Sequence, residues 1–203
     1  FFIFFVLTIQ CCTAQVMWQF RNDSVITWYH ENGDEFNGNK VDEGKWNYSF
    51  GWARSIWGNR EQQYYSEGKN HEVSEGTLKL ITRKEEVTAR TVDWKPDNDS
   101  MKQGNNFVWL NKHTFAYTSG MLQSKSTHLH GYFECRLKIP KQNGYWPAFW
   151  LYGGDPNEEI DILEGKTERP KDVHIDTHCK GKCDYIRVLL KKVSYGGWAK
   201  TKA

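Results

Sequence analysis

A chain of 203 residues with 27 basic and 25 acidic side chains, net charge +2, has room for one domain of ordinary size. Hydrophobic residues at 38%, charged residues at 26% and only 17 Gly and 5 Pro exclude collagen-like, coiled-coil and wholly disordered classes. The near-neutral balance also excludes a dedicated nucleic-acid binder, which shows a dominant basic face, whereas ten Trp, ten Tyr and 11 Phe suit a site for amphipathic ligands.

The chain opens FFIFFVLTIQCCTAQ, an apolar run far shorter than the roughly 18 to 20 residues that span a bilayer, so no transmembrane span is expected. The run reads as the core of a signal peptide, with Cys12-Thr13-Ala14 as a small-x-small cleavage site before Gln15. An initiator Met and a basic leading region are absent, so the sequence is expected to begin inside that signal. Attachment of lipid at Cys11 or Cys12 is the competing reading, and both put the protein outside the cytoplasm: secreted, periplasmic or an outer-surface lipoprotein.

Helical periodicity is scarce downstream and period-two alternation recurs, which predicts an all-β chain of short antiparallel strands forming a sandwich or barrel. Thr77 to Thr82 alternates after a Glu75-Gly76 turn, and residues 93–106 are polar and turn-rich, hence a surface loop. From Gly131 to Pro140, Phe133, Cys135, Leu137 and Ile139 alternate with Glu134, Arg136 and Lys138, predicting a strand with one buried face and an inert core thiol at Cys135. Asn143-Gly144 then gives a hairpin turn, Tyr145 to Leu151 returns as an apolar strand, and a third strand starts at Glu159. Val173 to His178 alternates again, with His174, Asp176 and His178 on one face. Cys179 and Cys183 are spaced for a small disulfide-closed loop, whereas a zinc site would need a second pair of sulfur ligands.

Glu159-Ile160-Asp161-Ile162-Leu163-Glu164 sets three acids on a predicted strand. Glu159 and Asp161 share a face; Glu164, five positions after Glu159, points away unless a one-residue bulge follows Asp161 and restores the phase. With that bulge the two Glu carboxyls approach to about 5 to 8 Å, which brackets the roughly 5 to 5.5 Å of retaining glycosidases. Asp161 between them raises the cost of ionising all three, so the cluster holds a proton, which makes one nucleophile and one acid from identical side chains. A calcium site or a solvated acidic edge would carry the same letters, but the apolar preceding strand and the interleaved Ile residues argue against the solvated edge.

Here the chain resembles glycoside hydrolase family 16, whose Glu-x-Asp-x-x-Glu signature is matched by Glu159 to Glu164. Trp146-Pro147-Ala148-Phe149-Trp150-Leu151, Gly131-Tyr132-Phe133-Glu134, Tyr117-Thr118-Ser119-Gly120 and the Trp57 to Tyr65 block resemble further family segments, and Asp34-Glu35-Phe36-Asn37-Gly38 its opening strand. The resemblance implies an antiparallel β-jelly-roll sandwich with an open cleft and endo-acting, retaining hydrolysis of β-linked polysaccharide. Glu159 is then expected as the nucleophile, Asp161 as its hydrogen-bonding helper and Glu164 as the acid/base; Trp146 and Trp150 lie near the cleft, Asn59 and Glu61 contact sugar hydroxyls or serve as buried hydrogen-bonding groups, and His178 tunes Glu164.

The expected organisation is a signal remnant over 1–15 and a catalytic domain over 16–203 that lacks C-terminal strands and folds poorly by itself. Met121 and Arg60 depart from residues common in family β-glucanases, and the bulged motif is that of laminarinases, agarases and carrageenases. The expected activity is an endo-β-1,3-glucanase of laminarin type, with a β-galactanase of agarase, porphyranase or carrageenase type, or a noncatalytic carbohydrate-binding protein, as the alternatives. Seven Lys or Arg against one acid in residues 180–203 read as a solvated surface, with contact to a sulfated polysaccharide as the other reading. The expected protein is a monomer that requires no cofactor and no metal at the site, with a structural calcium as an option.

Overall fold

The computed structural model describes residues 3–7, 18–19, 25–26, 29–94, 102–103, 106–107, 112–153, 158–169, 172–178 and 197–200. Cys179 and Cys183 lie outside the described residues. Among the described residues there are strands and one three-residue 3-10 turn, Trp57–Asn59, and no α-helix, as the recurring alternation predicts.

The chain divides into two compact units, Phe1–Lys138 and Ile139–Ala203. In the first, an antiparallel sheet runs in the order Leu137–Lys138, Ile3–Leu7, Thr77–Thr82, His71–Ser74. The Glu75-Gly76 turn joins the last two strands with φ of 54 and 66°, the doubly left-handed form whose twist matches the strands it connects. Phe36, Val41, Val73 and Leu78 form the buried cluster, with Trp46, Tyr48, Leu80 and Leu122 packed around it. Ile3–Leu7, within the run read as a signal core, forms backbone ladder pairs with Thr77–Thr82.

Four expectations need correction in this unit. Asp34 to Gly38 forms no strand: Phe36 is buried with φ 50°, its N–H bonded to Asp34 Oδ1 at 2.8 Å, and a left-handed residue cannot continue a ladder. Gln63–Tyr65 runs parallel, not antiparallel, to Tyr117–Ser119, which pairs two of the family-like blocks directly. At the end of the stretch expected as a loop, Lys102–Gln103 and Asn106–Phe107 pair antiparallel, the last residue lying just beyond it. The alternation from Phe133 to Ile139 holds in burial, but only Leu137–Lys138 is laddered. Cys135 is part-buried, and burial pushes its thiol up to about 11, so it stays protonated at neutral pH.

The second unit is a four-stranded antiparallel sheet in the order Ala148–Tyr152, Glu159–Gly165, Asp172–His178, Gly197–Lys200. Residues 144–147 are tied to 165–168: Gly165 N–H donates to Pro147 O at 2.9 Å, Tyr145 N–H to Thr167 Oγ1 at 3.0 Å, and Thr167 N–H to Tyr145 O at 3.1 Å. Gly165 is buried against Pro147, where an added Cβ would sit 3.1 Å from Pro147 Cγ. This tether fixes Trp146 next to the end of the acidic strand.

Candidate active site

The acidic strand reads Glu159–Gly165, and its register shows the predicted bulge. Asp161 lies opposite Asp176 while Glu164 lies opposite His174, so three steps on one strand meet two on the other; the register against Ala148–Tyr152 shifts at the same place. Side chains directly opposite in a ladder share a face. Glu159 is flanked by Tyr152 and His178, Asp161 by Trp150 and Asp176, and Glu164 by Ala148 and His174, so all three carboxylates stand on one face of the sheet.

Asp161 is only 2% exposed, and a buried carboxylate requires partners. It has two: His178 Nε2 at 3.2 Å from its Oδ2, and the Glu159 carboxyl. Burial first, and then the charge of Asp161, push the Glu159 carboxyl up to about 7, while the charge of His178 acts in the opposite direction. Asp161 is also raised, by burial and then by the charge of Glu164. The pair therefore keeps a proton into the neutral range.

Glu164 meets a different set of groups. Trp146 Nε1 donates to its Oε1 at 2.9 Å, and His174 Nδ1 stands 2.9 Å from its Oε2. The Trp146 ring, 53% exposed, carries Lys166 Nζ 5.1 Å from its centroid. Trp150 is half-buried, in T-shaped contact with Tyr152 at 5.8 Å.

Trp146, Trp150, His178 and the three acids thus share one unit and one face. His178, expected beside Glu164, meets Asp161 instead, because it lies opposite Glu159 at the far end of the bulge. The histidine on Glu164 is His174, four residues earlier on the same face of the strand. Asn59 and Glu61 belong to the Phe1–Lys138 unit. Asn59 is exposed as the last residue of the short 3-10 turn, and its N–H donates to Ile56 O at 3.1 Å. Glu61 turns inward to accept the Ile56 N–H at 2.7 Å and a bond from Tyr65, and burial pushes its carboxyl up to about 7, the structural alternative of the two expected for it.

Among the described residues, Glu159, Asp161 and His178 place one ligand-type atom each within 4.8 Å of one another. Calcium takes six to eight oxygens, so two mutually bonded carboxylates and an imidazole do not fit it. The arrangement is a hydrogen-bonded acid cluster, able to hold a proton at one end and to present a second carboxyl, at Glu164, held by the Trp146 indole N–H and the His174 ring nitrogen.

The sequence model of glycosyl hydrolases family 16 matches residues 59–202. The chain is 31% identical over 179 residues to a glucan endo-1,3-beta-glucosidase of Cryptopygus antarcticus, covering 85% of this chain and 55% of that protein. It is 30% identical over 174 residues to a beta-glucanase of Rhodothermus marinus, covering 79% and 51%. Among solved structures it resembles the endo-beta-1,3-glucanase from Pyrococcus furiosus, with TM-score 0.57 and 30% identity over 76% of this chain and 56% of that one. The chain spans about half the length of these relatives.

Proposed function

Because this chain belongs to glycosyl hydrolases family 16, with an all-β fold of the jelly-roll class, we propose that it is an endo-acting, retaining β-glycanase that cleaves β-1,3-glucan of the laminarin type outside the cytoplasm. One observation carries the chemistry: a single bulge sets Glu159, Asp161 and Glu164 on one face while giving Glu159 and Glu164 separate sets of partners. Two carboxyls on one face with different partners can divide the labour of a double displacement.

In the first step the ionised Glu159 carboxylate attacks the anomeric carbon, the glycosidic C–O bond breaks, and the proton of Glu164 goes to the leaving oxygen. In the second, the Glu164 carboxylate takes a proton from water, the water oxygen bonds the same carbon, and Glu159 leaves as carboxylate. Asp161, bonded to Glu159 and to His178, holds the nucleophile's orientation and shares its proton in the free protein. No cofactor takes part. The indole of Trp146 and the ring of Trp150 offer stacking faces to the sugar. Export is supported by the apolar opening run and the Cys12-Thr13-Ala14 site.

The test is release of new reducing ends from laminarin, mixed-linkage glucan, agarose, porphyran and carrageenan, for the wild type and Glu159→Ala. Release from laminarin that falls by at least about 10³-fold in Glu159→Ala, with oligosaccharide binding retained, is the expected result. Release from a galactan alone would move the substrate and keep the roles of Glu159 and Glu164. A folded protein silent on every polysaccharide that still binds one would be a carbohydrate-binding protein.

A further inference from the structure

The bulge that brings Glu164 to the acidic face also decides what stands opposite it. Counting back from the Asp161–Asp176 pair without an extra residue would set His174 against Leu163; with it, His174 stands against Glu164. Ring and carboxylate are therefore brought together by backbone register, and neither side chain has to search for the other.

The contact completes a clamp. His174 Nδ1 takes Oε2 and Trp146 Nε1 takes Oε1, each at 2.9 Å, so both oxygens of Glu164 are fixed. The other nitrogen of the ring, Nε2, lies 3.7 Å from Asp176 Oδ2, so the imidazole is bracketed by two carboxylates, one beside each nitrogen. His174 and Glu164 are each mostly enclosed, with side-chain exposures of 19% and 17%, so little water competes for the bond.

From this geometry we propose that His174, oriented by Asp176, is the positioning residue of Glu164: it aims the carboxyl and stabilises the charge that grows on it as its proton passes to the leaving oxygen. The inference rests on the glycanase reading. An N–H aimed in advance at an oxygen becoming anionic is worth more in the transition state than in the ground state. In the second half of the reaction the carboxylate is already charged before the step, so the same bond gives no such advantage. His174 therefore acts on the first step, and only where the leaving oxygen needs a proton.

That selectivity supplies the test. His174→Ala and His174→Asn are compared with the wild type on laminarin and on a 2,4-dinitrophenyl β-glucoside oligomer, whose leaving group departs without a proton. Asn is chosen because its amide N–H falls close to where Nδ1 stood. His174→Ala is expected to lower kcat on laminarin by about 10- to 100-fold with KM little changed, and the rate of dinitrophenol release by less than about 3-fold. His174→Asn is expected to recover most of the loss. Equal losses on both substrates, or no loss on laminarin, would overturn the proposal. A wild type inactive on both would instead defeat the glycanase reading; the positioning role is then read from nitrogen-15 NMR of the imidazole. A proton held on His174 Nδ1 that is released in Glu164→Ala supports it, and a ring indifferent to Glu164→Ala overturns it.

Discussion

On the proposed reading Glu159 attacks as a carboxylate, yet burial and the neighbouring Asp161 push it up to about 7. In the free protein the nucleophile is therefore protonated at mildly acidic pH and bare above neutrality, so kcat/KM should rise as pH passes through about 7. Asp161→Asn removes the charge but keeps an amide of the same shape, and taking away a negative neighbour lowers the pKa of an acid. The acidic limb of the pH profile should move to lower pH, read from kcat/KM on the polysaccharide that the wild type cleaves. An unmoved limb, or one displaced upward, would mean that Asp161 does not control the nucleophile. His178→Ala should act in the opposite sense, because its charge holds Glu159 down.

Strands deliver these residues, and the strand-level contacts explain how much of the site was legible in the letters. The bulge follows from Glu-x-Asp-x-x-Glu because five positions are out of phase on a strict period of two, and the strand at 159–165 has it where the phase argument requires. Which histidine meets which carboxylate was not legible in the same way. His174 and His178 share a face, and only the ladder register, shifted by the bulge, gives one to Glu164 and the other to Asp161. Asp34 to Gly38 misleads for a different reason: the left-handed turn at Phe36 is a backbone choice for which a Phe gives no signal.

The parallel pairing of Gln63–Tyr65 with Tyr117–Ser119 was likewise invisible, since alternation is the same in both directions. Its anchor is Asn70, fully buried, whose Nδ2 donates to Ile81 O at 2.8 Å and Thr118 Oγ1 at 3.0 Å and whose Oδ1 accepts from Ser66. Gly120, at the end of the second strand, passes so close that a Cβ would sit 2.5 Å from the Asn70 carbonyl oxygen. Backbone cannot yield there as a side-chain tip would. Gly120→Ala is expected to destabilise the protein by ~2–4 kcal/mol in urea unfolding, and a loss under ~0.5 kcal/mol would show that the two segments separate easily.

For the molecule as a whole, a net charge of +2 leaves little global repulsion, so the pH dependence of stability near neutrality falls to individual buried groups. Glu61 is such a group. It ionises near 4.5 when free in water and near 7 in the fold, so across that interval the folded state holds a proton that the unfolded chain has released. Folding takes up that proton: the contribution of Glu61 is most favourable below about 4.5, declines as pH rises to about 7, and is flat above. Full conversion of the shift would give about 3 kcal/mol, and the solvent that still reaches the side chain reduces this to ~2 kcal/mol. Glu61→Gln retains an oxygen for the Ile56 N–H and carries no charge. The variant should match the wild type at pH 4.5 and melt about 5 °C higher at pH 8, with the gap opening between the two. A gap that is constant with pH would place the effect in packing, and one that closes as pH rises would show that the Glu61 carboxylate is stabilised by its partners more than burial penalises it.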